Sequence, residues 1–334
     1  MTNGQWSTGR TSIGHWDGVN GHWASACRDA SGGVSMPQPE TFFPETLDEV
    51  AALLLAAERQ PRPRVRGATL LVHADGDAGP APILVDLARV PEMNRLDYDE
   101  RSGLVVGTAV SVAAPLDFPP VQSAYAILAD GLSAISPDAA RPCRTLGELL
   151  DDQPPAVDLL LPLICLGASV AIFGSHGWSE MTVEALCAKR LGAAMPHGEF
   201  LVDVRLPAPF PRSGGAYVRS VPAGTDCEAA GVGAFLLLED DHLTCCGARV
   251  TAWTGADAPL RALDAERFLR GKRLGDAEAA GVGAFVLESA GARTRGSGDA
   301  AMRLDGLTAT AGRAIRLAFA RAHPQPSLGG PGPR

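Results

Sequence analysis

The sequence predicts an α+β protein built as two consecutive units, and three observations carry that expectation. Short apolar runs suited to buried strands alternate with helical stretches between residues 42 and 206. A proline- and glycine-rich break, Pro207 to Gly215, then interrupts all periodicity. Beyond it, three strand-like runs precede three helical ones, the order of a two-layer α+β unit.

In chain order, residues 1–38 are rich in Gly, Ser and Asn yet hold Trp6, Trp16 and Trp23 of the chain's five tryptophans. They are expected to form a flexible extension, with an arm packed on the body or a lid over a cleft as the alternatives. Thr46-Leu47-Asp48-Glu49 is a capping box that starts a helix running through Val50 to Ala57. Ile83 to Leu87 and Leu104 to Gly107 read as buried strands, 120–135 as a helix, Ala168 to Phe173 and Phe200 to Leu206 as further strands. The apolar run Leu159 to Phe173 contains Pro162 and is too short for a bilayer span, so it predicts a buried helix followed by a strand.

The second unit is expected to begin near Ala216. Tyr217 to Ser220, Val232 to Leu238 and Ala248 to Trp253 suit a three-stranded antiparallel sheet, and 262–270, 276–290 and 300–322 suit helices. Residues 324–334 form a tail. One internal echo stands out: Asp226 to Phe235 recurs as Asp276 to Phe285 with nine of ten residues identical. With no further copy at that period it is no repeat architecture; the first copy falls where a strand is expected and the second where a helix is, which marks local duplication or coincidence and not a functional pair.

Composition excludes some partners. The chain has 334 residues, 46% of them apolar, and a formal net charge of −9. Its isoelectric point is about 5.3. No broad cationic field exists to attract nucleic acid or an anionic membrane surface. A polar N-terminus without a secretion pattern predicts a cytoplasmic home. The seven cysteines, Cys27, Cys143, Cys165, Cys187, Cys227, Cys245 and Cys246, form no C-x-x-C pair. They read as reduced small hydrophobes, and no metal site is expected.

Several segments together resemble the FAD-binding medium subunit of molybdenum hydroxylases, the carbon monoxide dehydrogenase and xanthine dehydrogenase family. Phe43-Pro44-Glu45-Thr46-Leu47 is similar to that family's opening, and Val85-Asp86-Leu87-Ala88-Arg89-Val90-Pro91-Glu92-Met93 to its V-D-L-x-x-I-P-E-L. Leu104 to Ala109 resembles its strand ending in I-G-A, and Asp264 to Lys272 its C-terminal x-A-E-x-x-L-x-G-K. The resemblance implies a two-subdomain FAD-binding domain of the vanillyl-alcohol-oxidase (PCMH-like) kind over 39–207. A C-terminal domain of the carbon monoxide dehydrogenase flavoprotein kind is implied over 216–323.

The same resemblance implies two glycine loops, A-G-G-T/H-D/S-L and T-I-G-G-N, whose bare amides form a nest for the FAD diphosphate. The first corresponds to Arg66-Gly67-Ala68-Thr69-Leu70-Leu71 and the second to Thr145-Leu146-Gly147-Glu148-Leu149. The thirteen-residue step from Thr145 to Asp158 matches the family's spacing to the aspartate of its S-P-A-A-D element. Gly67, Ala68, Thr69, Thr145, Gly147 and Asp158 are thus the cofactor-binding candidates. Ala68 and Glu148 replace glycines, while Leu70, Leu149 and Pro154 replace polar residues. A carboxylate at Glu148 about 4 to 5 Å from a phosphate charge would cost about 3 to 4 kcal/mol at an effective dielectric near 20.

These departures lead to the expectation that FAD is not bound. The emptied cleft would serve non-redox chemistry, of cyclase or isomerase type, on a small and polyketide-like metabolite of bacterial secondary metabolism. Glu148 or Asp158 would act as acid or base, with Arg144 or Arg66 steadying an oxyanion. Plainer roles compete: Glu148 as partner of Arg144, Asp158 as a helix-start residue, Asp151 and Asp152 as a solvated turn. The alternative function is the ordinary family role, an FAD-carrying oxidoreductase subunit working with an iron–sulfur subunit and a molybdenum subunit. A non-catalytic scaffold is the third reading.

Overall fold

The structure is a computed structural model describing residues 40–56, 64–66, 69–72, 83–135, 144–151, 156–190, 198–220, 230–254, 258–291 and 306–323. The expected extension 1–38, the tail 324–334, Gly67, Ala68, Asp152, Pro154, Cys27, Cys143 and Cys227 lie outside these residues.

The first unit opens with β1 (Glu40–Phe42), α1 (Leu47–Ala56), β2 (Arg64–Arg66), β3 (Thr69–Val72) and β4 (Ile83–Asp86), whose strands form a sheet of order β1-β4-β3-β2. Only β1 and β4 run parallel. The capping box works as expected at one end: Glu49 N–H donates to Thr46 Oγ1 at 3.3 Å. Its return arm differs, since Glu49 Oε2 accepts from the Glu45 amide at 2.8 Å rather than from Thr46. Leu47, Val50, Ala51 and Leu54 then face a core shared with Val85, Leu87, Val90 and Met93, which is what the helical spacing requires.

The chain continues through β5 (Leu96–Asp99), β6 (Gly103–Gly107), α2 (Ala113–Asp117), α3 (Pro119–Ala124), α4 (Ala126–Ala134), α5 (Leu146–Asp151), α6 (Val157–Leu166), β7 (Ser169–Gly174), β8 (Gly177–Thr182), α7 (Val183–Arg190) and β9 (Phe200–Leu206). These strands make a second, wholly antiparallel sheet of order β5-β6-β9-β7-β8. The single helix expected over 120–135 is broken at Tyr125, which leaves helical geometry at φ −123°, ψ 46°. Tyr125 is buried and its hydroxyl donates to Pro207 O at 2.9 Å, a tertiary anchor that helix propensity cannot foresee. The run Leu159 to Phe173 becomes a buried helix and strand as expected, with Pro162 inside α6.

The second unit forms from β10 (Ser213–Ser220), β11 (Ala230–Leu238), β12 (Cys245–Trp253), β13 (Leu260–Arg261), α8 (Leu263–Leu269), α9 (Asp276–Gly291) and α10 (Leu307–Ala322). The sheet order is consecutive and antiparallel, so the expected three strands gain a fourth of two residues. Strand β10 starts at Ser213, inside the proline- and glycine-rich break, because α10 lies directly on it. A Cβ at Gly214 would stand 2.2 Å from Ala318 O, so glycine there reflects contact and not only a turn. The echo takes the expected elements, with Ala230 to Phe235 in β11 and residues 280–285 in α9.

Cys245 and Cys246 are neighbours on β12, the first buried and the second half-buried. Among the described residues no helix is long and apolar enough to cross a membrane.

Candidate functional site

The second predicted loop is not an open loop. Residues 108–112, just past β6, run beside 144–147. Val112 N–H donates to Arg144 O at 2.8 Å, Leu146 N–H to Val110 O at 3.0 Å, and Gly147 N–H to Thr108 O at 2.8 Å. Thr108 is itself held, its hydroxyl donating to Leu201 O at 3.0 Å. Helix α5 starts at once: Thr145 Oγ1 accepts from Glu148 N–H at 3.3 Å and Thr145 O accepts from Leu149 N–H at 3.2 Å. The amides of 146 through 149 therefore all have partners inside the protein. An anion nest needs amides that point at the ligand instead.

Leu146, Leu149 and Leu150 explain the departure from the family pattern. All three are buried in the core of the first unit, with Leu149 only 1% exposed, so apolar packing has taken the position of the asparagine. Glu148 and Arg144 pair at 3.7 Å, with side chains 16% and 28% exposed, which is the plainer role weighed for Glu148. Asp151 is the last residue of α5.

The described flanks of the first predicted loop come close to the second. Helix α5 packs beside β2, and Arg66 and Thr69 are paired across β2 and β3, so the flanks of the first loop lie near the second. Leu70, expected in the first loop, is instead a ladder residue of β3 between Val65 and Val85.

Asp158 stands in the first turn of α6, again the plainer role. Both of its carboxylate oxygens are engaged from the second unit. Tyr217 donates its hydroxyl to Oδ1 at 2.5 Å, and Arg219 Nη1 donates to Oδ2 at 3.1 Å. Arg219 also reaches Ala134 O at 3.2 Å. Close by, Asp130 Oδ2 accepts from Tyr217 N–H at 3.0 Å, and Arg321 grips both Asp130 oxygens at 2.5 and 2.9 Å. Asp158 is thus part of a polar seam between the units and not a solvent-facing acid. Tyr217, Arg219, Asp130 and Arg321 escaped sequence reasoning, since Tyr217 lies 59 positions from Asp158 and no local pattern links them.

Burial first, and then the negative charge of Asp158, push the Tyr217 phenol well above the ordinary tyrosine range. Burial does the same to Tyr125. A raised folded-state value means the contribution is complete below the unfolded value, about pH 10, and is lost as pH climbs past it. Stability in urea is therefore expected to fall between about pH 9.5 and 11. Tyr217→Phe should be less stable at neutral pH and lose less on going alkaline; parallel pH profiles for the two proteins would contradict the assignment.

Four cysteines are free among the described residues, and burial pushes Cys165 up to about 12 and Cys245 up to about 11. Both are thereby poor nucleophiles. Among the described residues no group of three or more His, Cys, Asp or Glu side chains could hold a metal ion. His176 is exposed in the turn between β7 and β8, while His73 and His197 lie outside the described residues.

Comparison with known proteins gives the class to which this fold corresponds. Residues 37–209, just over half of the chain, match the FAD binding domain in molybdopterin dehydrogenase, and the chain belongs to that family. Among curated proteins, the 6-hydroxypseudooxynicotine dehydrogenase complex subunit alpha of Paenarthrobacter nicotinovorans is 24% identical over 187 residues. That match spans 56% of this chain and 62% of the relative's length.

Among solved structures, quinoline 2-oxidoreductase from Pseudomonas putida 86 superposes with a TM-score of 0.67 at 22% identity, covering 86% of this chain and 99% of that one. Carbon monoxide dehydrogenase from Oligotropha carboxidovorans gives 0.66 at 21% identity, with the same coverage. The enzyme from Hydrogenophaga pseudoflava gives the same values. Membership in an FAD-binding family does not support the expectation of a cofactor-free cleft. Neither it nor the oxidoreductase relatives support the cyclase expectation. Yet the segment 145–149, expected from the resemblance to form half of a diphosphate cradle, does not fit the group, because its amides are spent and it carries the Glu148 carboxylate.

Proposed function

We propose that this chain is a medium-type subunit of an oxidoreductase assembly of the molybdenum hydroxylase kind, working beside an iron–sulfur subunit and a molybdenum subunit. The observation that supports this reading is the extent of the shared fold: 99% of the quinoline 2-oxidoreductase chain has a counterpart here, second unit included. A domain borrowed for unrelated chemistry has no need to keep a whole subunit's architecture. Substrate oxidation would take place on the molybdenum partner. FAD is the group the family carries, and its retention would depend chiefly on the first loop, Arg66 to Leu71.

Co-production with iron–sulfur and molybdenum subunits tests the assembly. The expected result is a complex of fixed stoichiometry whose dehydrogenase activity disappears when this chain is left out. A chain that stays monodisperse and never associates would defeat the proposal.

A second reading is favoured by one feature, the closed segment Thr145 to Leu149 with its Arg144–Glu148 pair. On it, the cleft performs non-redox, cyclase- or isomerase-type chemistry on a small molecule, with Glu148 as acid or base and Arg144 steadying the developing charge. Turnover without any electron acceptor, abolished in Glu148→Gln, would establish this reading over the first. Binding without turnover would leave a scaffold.

A further inference from the structure

The family reading locates the diphosphate, and the geometry of α5 reverses what this chain does there. We infer that residues Thr145 to Leu149 exclude a dinucleotide diphosphate, and that Glu148 is the excluding group. The inference rests on the family reading for the place of the cofactor and deepens it by assigning the residue that controls access.

Four observations carry it. The amides of Leu146 and Gly147 are committed to Val110 O and Thr108 O, bonds that join α5 to the strand end beneath it. Those of Glu148 and Leu149 are answered by Thr145 itself, so no donor remains to be offered without dismantling the helix start. Leu149 and Leu146, 1% and 2% exposed, pin the segment into the core and prevent it from opening outward. Finally, Arg144, a nearby cation able to offset a clash between carboxylate and phosphate, is already paired with Glu148 at 3.7 Å. A ligand diphosphate would meet a fixed negative charge whose partner would have to be shared.

At a separation of about 4 to 5 Å and an effective dielectric near 20, one such repulsion lowers affinity more than a hundredfold. Because Glu148 is partly exposed, salt screens some of this, and the lower bound expected in ordinary buffer is about tenfold.

The test is a titration of the full chain with FAD, followed by flavin fluorescence and by retention on ultrafiltration, at low and high salt. Glu148→Gln is expected to hold FAD at least about tenfold more tightly than the wild type, with the gap narrowing as salt rises. Glu148→Gly, which restores the family's residue, should show the same gain and serves as the second variant if Gln perturbs folding. Wild-type protein that purifies with one tightly held FAD would overturn the inference, and so would equal affinity in wild type and both variants. Association with the partner subunits, measured on the same preparations, separates the two readings. A wild-type chain bound to FAD and assembled sinks only the exclusion by Glu148, whereas a colourless chain that never assembles sinks only the subunit role.

Discussion

Gly131→Val is expected to be severely destabilising. Helices α4 and α6 cross where Gly131 meets the first turn of α6, and a Cβ there would lie 2.1 Å from Asp158 O and 2.6 Å from Pro162 Cγ. Pro162 has no amide hydrogen to give to Asp158 O, so that carbonyl faces α4 instead of closing a helical bond. Any side chain at 131 must push the helices apart and open the core formed by Leu128, Leu132, Leu159 and Leu161. Overpacking ordinarily costs about 1–3 kcal/mol, and a collision with backbone belongs at or beyond the top of that range. Urea unfolding of the variant should show a loss of about 3 kcal/mol or more. A melting temperature within about 2 °C of wild type would mean the two helices have room that the structure does not show.

Asp130→Ala comes next. The carboxylate holds Arg321 through two bonds and also accepts from the Tyr217 amide, so its removal leaves a guanidinium and an N–H without their acceptor. Breaking a buried pair from one side costs about 3–5 kcal/mol. Here the side chains are 21% and 29% exposed, and Arg321 keeps Gly215 O at 2.8 Å, which puts the expected loss near about 2–3 kcal/mol. Asp130→Ala and Arg321→Ala should be markedly non-additive, with a coupling of about 1–3 kcal/mol in the double-mutant cycle. Strict additivity would show that the seam carries no specific ion pair.

Much of the architecture was legible because local rules and tertiary demands agree. Thr46 and Glu49 mark a helix start in any context that exposes both, and the structure changes only which amide Glu49 reaches. Ala168 to Phe173 reads as an apolar strand in the sequence, and Ser169–Gly174 is a largely buried interior strand of the sheet, between β9 and β8. The duplicated segment is the sharper case. Leu236, Leu237 and Leu238 extend the first copy into a strand, while Val286 to Ala290 behind the second copy extend a helix. Identical residues take opposite conformations, and their flanks say which is which.

The candidate site was legible only as a set of positions. Thr145, Glu148 and Leu149 were recognisable as departures from a glycine loop, but whether their amides were open depended on Thr108 and Val110, which lie outside that motif. Tyr125 looked like one more helical residue until its hydroxyl found Pro207 O. Asp158 looked like an acid near a phosphate site until Tyr217 and Arg219 took both its oxygens.

By itself, then, the sequence determined the kind and order of most elements and the family to which the chain belongs, because periodicity, caps and motif spacing are properties of neighbouring residues. Tertiary structure alone decided which polar groups are spent and which are open to a ligand. A hydrogen-bonding group is answered by whatever chain segment folding lays against it, and at the start of α5 and along the seam those segments come from distant parts of the polypeptide.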